Sequence, residues 1–322
     1  DRHTIAFNDA VDCRLDVAEF EQAIGNSQPK SGKVTRTIAA QLATAVSLYQ
    51  GDFLAGFSIR SAADFEAWAL LEQERLRQQL ESAKEIQQSF MPQQLPQGEN
   101  GIFDIAARNL PAISVGGDLF DVLMLDDRHV GILIGDVSGK GIPAALYMAR
   151  LMSDFRFYVQ KYREPRILLD KLNNLLVDRS RHGMFVTLQF IVVDIWSGKL
   201  VHGDAGHLPM IHLRNGEADI PNRESGPPLG VMKGMVFDDN HVQLAPGDIL
   251  LFYTDGIIEA KNTRGEEFTL DRLLTCLKRH WASAGQVVEE SLLQVYKFTK
   301  SSPQNDDITL VAFQWNKAQS MS

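Results

Sequence analysis

Four short stretches of the chain set aspartates against an apolar strand or a glycine turn: VGGDLFD (Asp118, Asp121), IGDVSGKG (Asp136), YTDGIIEA (Asp255) and QNDDITLVAF (Asp306, Asp307). One such acid is an ordinary turn residue, because its side chain hydrogen-bonds to nearby backbone. Four such places, each beside a strand, invite a common explanation, since strand ends from distant parts of a chain can converge at one edge of a sandwich. Carboxylates brought together repel unless something neutralises them. Hard divalent cations held through oxygen do that, and the sequence has no cysteine or histidine cluster to suit a softer metal. Composition and placement leave two readings open: a cation site, or a set of unrelated loop aspartates.

The elements that must carry these acids follow from period and punctuation. HVGILIGD and DILLFYTD are apolar strands ending in aspartate. MFVTLQFIVVDIWSGKLVHGDAGH reads as two strands joined by a Ser-Gly turn. In the first of these, Val186, Leu188, Phe190 and Val192 share one face and Phe185, Ile191 and Val193 the other, which predicts burial on both sides. IPAALYMARLMSDFRFYVQKY reads as a long helix, with Pro143 tolerated in its first turn. Met148, Met152, Phe155, Val159 and Tyr162 form its core stripe. PRILLDKLNNLLVDR reads as a second helix. From about Ile102 strands outnumber helices and hairpins are common, so the expected fold class is α+β, stacked antiparallel sheets flanked by helices.

Upstream, residues 1–61 read as helical. LDVAEFEQAI and TIAAQLATAVSLY space apolar residues by three and four, with a loop, GNSQPKSGK, between them. From Ala62 to Phe90 there is no Gly or Pro, and Leu76, Leu80, Ala83, Gln87 and Phe90 follow the four-three spacing of a seam. That helix either packs on its own domain or pairs with a second copy as a signalling helix, making a homodimer. Pro92 and Pro96 end it. The expected organisation is a helical segment (1–61), a linker helix (62–96), a sandwich domain (97–316) and a tail (317–322).

The chain has 322 residues, 44% of them hydrophobic, and a formal net charge of −9. This balance disfavours broad nucleic-acid binding, which needs a basic surface. Its two cysteines, Cys13 and Cys276, are far apart and suit a reducing, cytoplasmic setting. No long apolar run or signal peptide is visible, so no membrane span is expected within this chain.

The motifs VGGDLFDV, GDVSGKGIPAAL, AGHLPM, GPPLGV, DILLFYTDGIIEA and NDDITLVAF occur in the order found in bacterial metal-dependent serine/threonine protein phosphatases. From about Gln88 to Phe313 the chain resembles the SpoIIE/RsbU branch of that family, related to protein phosphatase type 2C. EIQQSFMPQQLP resembles the linker before this domain. The resemblance implies an αββα sandwich with two divalent ions, Mn²⁺ or Mg²⁺, at one edge. By motif it assigns Asp136 to bridging both ions, the Val137 backbone carbonyl to one of them, Asp118 to the second ion, and Asp255 and Asp306 to the first. Asp121 and Asp307 are weaker candidates. It implies in-line attack on phosphorus by an ion-activated water without a covalent phosphoenzyme, with Gly139 and Gly141 letting the backbone turn close to the ions. The implied substrate is a phosphoserine or phosphothreonine protein, a STAS-type anti-sigma-factor antagonist.

The chain departs from the pattern in places. Ser138 stands where the broader family has a histidine, which leaves the leaving-group proton donor unassigned. Asp204 stands where the AGHLPM motif normally has asparagine just upstream. Here His207 reads as a structural hydrogen-bonder, Lys140 as a loop lysine, GPPLGV as a loop near the active edge and Glu259 as structural. From about Thr4 to Leu80 the chain resembles the start of a bacterial transcriptional activator domain. No winged helix precedes it, so it is expected to pass a partner signal or set dimerisation rather than bind DNA. The rival reading is a non-catalytic phosphatase-like scaffold that only binds its partner.

Overall fold

The computed structural model describes residues 63–179, 183–221 and 225–316. The chain divides into two compact units, residues 1–76 and 77–322. The expectations for residues 1–61 and 317–322 fall outside the described residues. Helix α1 (Ala63–Ser89) reproduces the Gly- and Pro-free stretch almost to the residue. At its C-terminal end Gln87 is buried and Phe90, just beyond the helix, packs against the sandwich core. The last two positions of the seam are therefore covered by the chain's own second unit.

That unit is built on two five-stranded sheets, antiparallel throughout. One runs in the order β1 (Phe103–Leu110), β10 (Ile308–Trp315), β9 (Ile249–Tyr253), β6 (Ile211–Arg214), β7 (Glu217–Asp219). The other runs β2 (Leu119–Met124), β3 (His129–Val137), β4 (Val186–Asp194), β5 (Lys199–Ala205), β8 (Asp239–Gln243). Helices α2 (Gly141–Val159) and α3 (Pro165–Arg179) cover the second sheet. A single turn, α4 (Asp255–Ile258), follows β9, and α5 (Leu270–Leu277) and α6 (Ala284–Thr299) cover the first sheet.

Side-chain alternation explains the layering. Along β9 and β10, Leu250, Phe252, Val311 and Phe313 join the cluster shared with the second sheet. Their neighbours Ile249, Leu251, Leu310 and Ala312 instead meet Leu273, Val288 and Leu292 of α5 and α6. Both faces are buried, so the strands read as unbroken apolar runs rather than alternating ones. On β4, Phe190 packs edge-to-face on Phe155 of α2 at 5.4 Å, while Ile191 and Val193 are buried on the opposite face. Phe185 differs from expectation: it precedes the strand and is 40% exposed.

Only α2 and α3 were anticipated beyond residue 102. The chain also forms α5, whose eight residues are too few for a periodic signal to stand out, and α6, capped by Ser283 accepting from the Gln286 amide. Among the described residues no helix is long and apolar enough to cross a membrane.

Candidate metal centre

Strand β3 rises through Ile132, Leu133 and Ile134, all fully buried, before it reaches Asp136. The apolar run fixes the strand, and Asp136 stays in register opposite Thr187 of β4. Burial, reinforced by the charges of Asp255, Asp306 and Asp307, pushes its carboxyl up to about 7; Lys140 pulls the other way. Val137 donates its amide to the Gly117 carbonyl at 3.4 Å. A Cβ on Gly117 would lie 2.7 Å from the Val137 carbonyl oxygen and 3.0 Å from the Asp136 carboxylate. Glycine is thus required where the VGGD loop crosses the end of β3.

Asp118 follows directly and is 3% exposed. Its Oδ2 accepts hydrogen bonds from the Thr254 and Thr309 hydroxyls, each at 2.7 Å. Burial, with the charges of Asp136 and Asp307, holds its carboxyl well above the usual range despite those bonds. Asp255 is the first residue of α4, not the end of a strand as the sequence suggested. Its carboxyl is raised by burial and by the charges of Asp306 and Glu259. Asp306 accepts from Lys140 Nζ at 2.7 Å, and the same ammonium donates to the Asn305 carbonyl at 2.9 Å. Lys140 thus ion-pairs with one of these acids from a loop in which Gly139 and Gly141 take φ of 93° and 70°.

The remaining sequence candidates are held by other partners. Asp307 is a loop organiser: its two oxygens accept from the Ala112 and Gly117 amides, each at 2.8 Å. It holds the VGGD loop against the start of β10. Asp121 is buried and accepts from Arg156 of α2 at 2.7 Å. His207 is buried beside Thr187, with Nδ1 and the hydroxyl 2.9 Å apart; burial pushes the imidazole down to about 4. Asp204 accepts from Gln189 at 2.7 Å and from the Ser225 hydroxyl at 2.5 Å, an interior network rather than a part of the acid edge. Ser138 trades backbone and hydroxyl bonds with Phe185, its Oγ accepting from the Phe185 amide at 2.9 Å.

Sequence reading missed three contributors. Thr254 and Thr309 orient Asp118, a role signalled only by their position beside the YTDG and NDDITL acids. Gln87 of α1 brackets Gly116 in the same loop, donating to its carbonyl at 2.5 Å and accepting from its amide at 3.1 Å. Its polarity within the seam was the signal.

Asp118, Asp136, Asp255 and Asp306 thus share one edge, and the carboxyls of Asp118, Asp136 and Asp255 are raised there by burial and by neighbouring acids. Among the described residues no three acid, histidine or cysteine side chains stand as a finished cage in these rotamers. Asp118 is turned to two hydroxyls and Asp306 to Lys140. The donor set itself, carboxylate oxygens with a backbone carbonyl and no sulfur or exposed imidazole, fits hard divalent cations.

Two antiparallel sheets face to face, helices on both outer sides and acids gathered at one edge define a domain of the PP2C type. The SiaA-PP2C domain of Pseudomonas aeruginosa shares this fold with a TM-score of 0.66 at 19% identity, over 76% of this chain and 99% of that one. The family model described as Stage II sporulation protein E (SpoIIE) matches residues 126–316, more than half of the chain, and the chain belongs to that family. Protein IcfG of Synechocystis is 29% identical over 267 residues, covering 73% of this chain and 41% of its own length. Phosphoserine phosphatase RsbU of Bacillus subtilis is 26% identical over 246 residues, 74% of this chain and 70% of its own. The chain therefore spans less than half the length of IcfG.

Proposed function

We propose that this chain is a metal-dependent phosphoprotein phosphatase that hydrolyses phosphoserine or phosphothreonine on a signalling partner. The observation that carries this reading is the unbalanced acid edge. Burial and like charge raise Asp118, Asp136 and Asp255 together, a cost that a fold tolerates where charge is to be met by a ligand. Asp136 and the Val137 carbonyl, with Asp118, Asp255 and Asp306, would hold two divalent ions, Mn²⁺ or Mg²⁺. Such ions supply a polarised water and a clamp on phosphoryl oxygens.

The chain's own residues do the positioning. Thr254 and Thr309 fix the rotamer of Asp118, Asp307 fixes the loop that bears it, and β3 fixes Asp136. Lys140 adds positive charge where a phosphate dianion would arrive. Ser138 accepts from the Phe185 amide; solvent is the alternative donor of a proton to the leaving serine. The kinship with RsbU supports a phosphoserine protein as substrate, and the family's resemblance points to a STAS-type antagonist in partner switching. Gln87 supports a regulatory reading of 62–96 as a linker, because a shift of α1 would move Gly116 and with it the loop of Asp118.

The test is hydrolysis of a phosphoserine protein by the purified chain with and without Mn²⁺. Wild type should turn over only with the ion, and Asp136→Ala or Asp255→Ala should abolish turnover with the fold intact by circular dichroism. Undiminished turnover in both variants refutes the assignment; Mn²⁺ binding without turnover in wild type favours the scaffold.

A further inference from the structure

The two halves of the acid edge belong to different sheets. Asp136 stands near the end of β3 on the second sheet, whereas Asp255 follows β9 on the first. The chain crosses from one sheet to the other between Ala205 of β5 and Ile211 of β6, and His207 lies in that crossing. Its imidazole is buried. Nδ1 lies 2.9 Å from the Thr187 hydroxyl, and Thr187 is the residue of β4 that pairs with Asp136. The backbone of Tyr253, the last residue of β9, acts on the same ring as a hydrogen-bonding group that favours its protonated form. Nδ1 is engaged, so the nitrogen left for Tyr253 is Nε2, which is buried and forms no full hydrogen bond in this rotamer. A buried N–H needs an acceptor. Burial keeps the ring neutral, so it carries one proton: Nε2–H donates toward the Tyr253 carbonyl, and Nδ1 accepts from Thr187.

We propose that His207 is a positioning residue that ties the strand end bearing Asp136, through Thr187, to the strand end before Asp255, and so sets the gap between the two acids that a pair of divalent ions requires. The inference rests on the phosphatase reading above. The loop that carries the ring is pinned on both flanks. The Gly206 amide donates to Asp204 at 2.9 Å. Gln189 donates to the Leu208 carbonyl at 2.8 Å and to Asp204 at 2.7 Å. With its backbone held on either side, the ring fixes a distance rather than follows one. The other tie across this edge runs from Asp118 to Thr254 and Thr309, and it uses a carboxylate that the ions would take. His207 uses no atom of the acid edge, so its tie persists when ions bind. Groups that stand behind a metal's ligands act in this way: they orient the ligands in advance, so that binding energy is not spent on rearrangement.

The experiment is calorimetric titration of the chelator-treated full chain with Mn²⁺, alongside its urea midpoint and its turnover of p-nitrophenyl phosphate. Thr187→Val removes the hydroxyl at nearly constant volume and should raise the Kd of the weaker Mn²⁺ about tenfold, with the urea midpoint little changed. Thr187→Ser restores the hydroxyl and should return that Kd to within about twofold of wild type. His207→Phe keeps a planar ring and removes both nitrogens. It should weaken Mn²⁺ at least as much as Thr187→Val, and adding Thr187→Val to it should change the Kd no further, because both break one tie. Losses that multiply in the double variant overturn the proposal. So do wild-type ion affinities in folded Thr187→Val, which would make His207 a packing residue only. If wild type itself takes up no Mn²⁺ and hydrolyses nothing, the phosphatase reading fails and this proposal falls with it.

Discussion

The strands that end at the acid edge carry buried aspartates at their other end too, and the two sets behave in opposite ways. Asp194 closes β4 opposite His129, the residue that opens β3, whose far end is Asp136. Asp248 directly precedes β9, and Asp255 comes just after it. At the far end both of these acids are matched. Asp194 accepts from Arg128 Nε at 2.8 Å and the Ser197 hydroxyl at 2.5 Å, and the Arg128 pairing, against burial, holds it below the usual carboxylate range. Asp248 is pushed up by burial, but bonds from Arg214, the Ala245 amide and His212 outweigh this and leave it lowered. At the edge of Asp136 the acids face one another, and Asp118, Asp136 and Asp255 are each raised. The same side chain is a staple where cations and amides meet it and a strain where burial and other acids do.

That contrast is open to direct attack. The largest effect expected is at Asp136. Asp136→Asn should cost roughly three orders of magnitude in Mn²⁺-dependent turnover, yet raise the urea midpoint of chelator-treated protein, because it removes a half-buried charge set against other acids. Asp248→Asn should do the reverse: about 2 kcal/mol of stability lost, since Arg214 and His212 lose their counter-charge, with turnover per folded molecule unchanged. If both variants shift stability in the same direction, the two ends are not different in kind.

His207 extends the comparison to a base. Burial outweighs the nearby charge of Asp204 and moves it down to about 4, as it moves Asp136 up. An unfolded histidine takes up a proton below about 6.5, whereas this one does so only near 4, so the unfolded chain binds more protons in that window. Stability should therefore be full above about pH 6.5 and fall by up to about 3 kcal/mol as pH drops through 4. His207→Gln should flatten that part of the urea-midpoint profile; an unaltered slope would show that other groups set it.

A smaller effect is expected at Gln87. Gln87→Leu leaves both backbone groups of Gly116 without their partners, at about 1–3 kcal/mol. It should also raise the apparent Kd for Mn²⁺ severalfold, because the loop of Asp118 loses its tie to α1. Unchanged metal affinity with lowered stability would make Gln87 a packing residue only.

What the sequence discloses and what it hides follow the same division. Asp136 announces itself because an apolar run cannot end in an acid without a reason, and the long helix is plain in the stripe of Met148, Met152, Phe155 and Val159, all fully buried. The sequence suggests a strand end at Asp255 because nothing in YTDGIIEA marks the single turn that begins there. Asp307 and Asp306 look alike in NDDITL; only the fold shows that one holds amides of a loop 190 residues away while the other meets Lys140. Thr254, Thr309 and Gln87 act through residues far off in sequence, on Asp118 and Gly116, and no local pattern encodes such a partner. The pairing of β1 with β10, Phe103 opposite Trp315, is hidden for the same reason.

The most direct test of the central claim is calorimetric titration of the full chain with Mn²⁺ after chelation and dialysis. Uptake of two ions per chain in wild type, lost or halved in Asp136→Asn while Asp248→Asn binds normally, is the predicted result. No uptake by folded wild type at millimolar Mn²⁺, or uptake indifferent to Asp136, would contradict it.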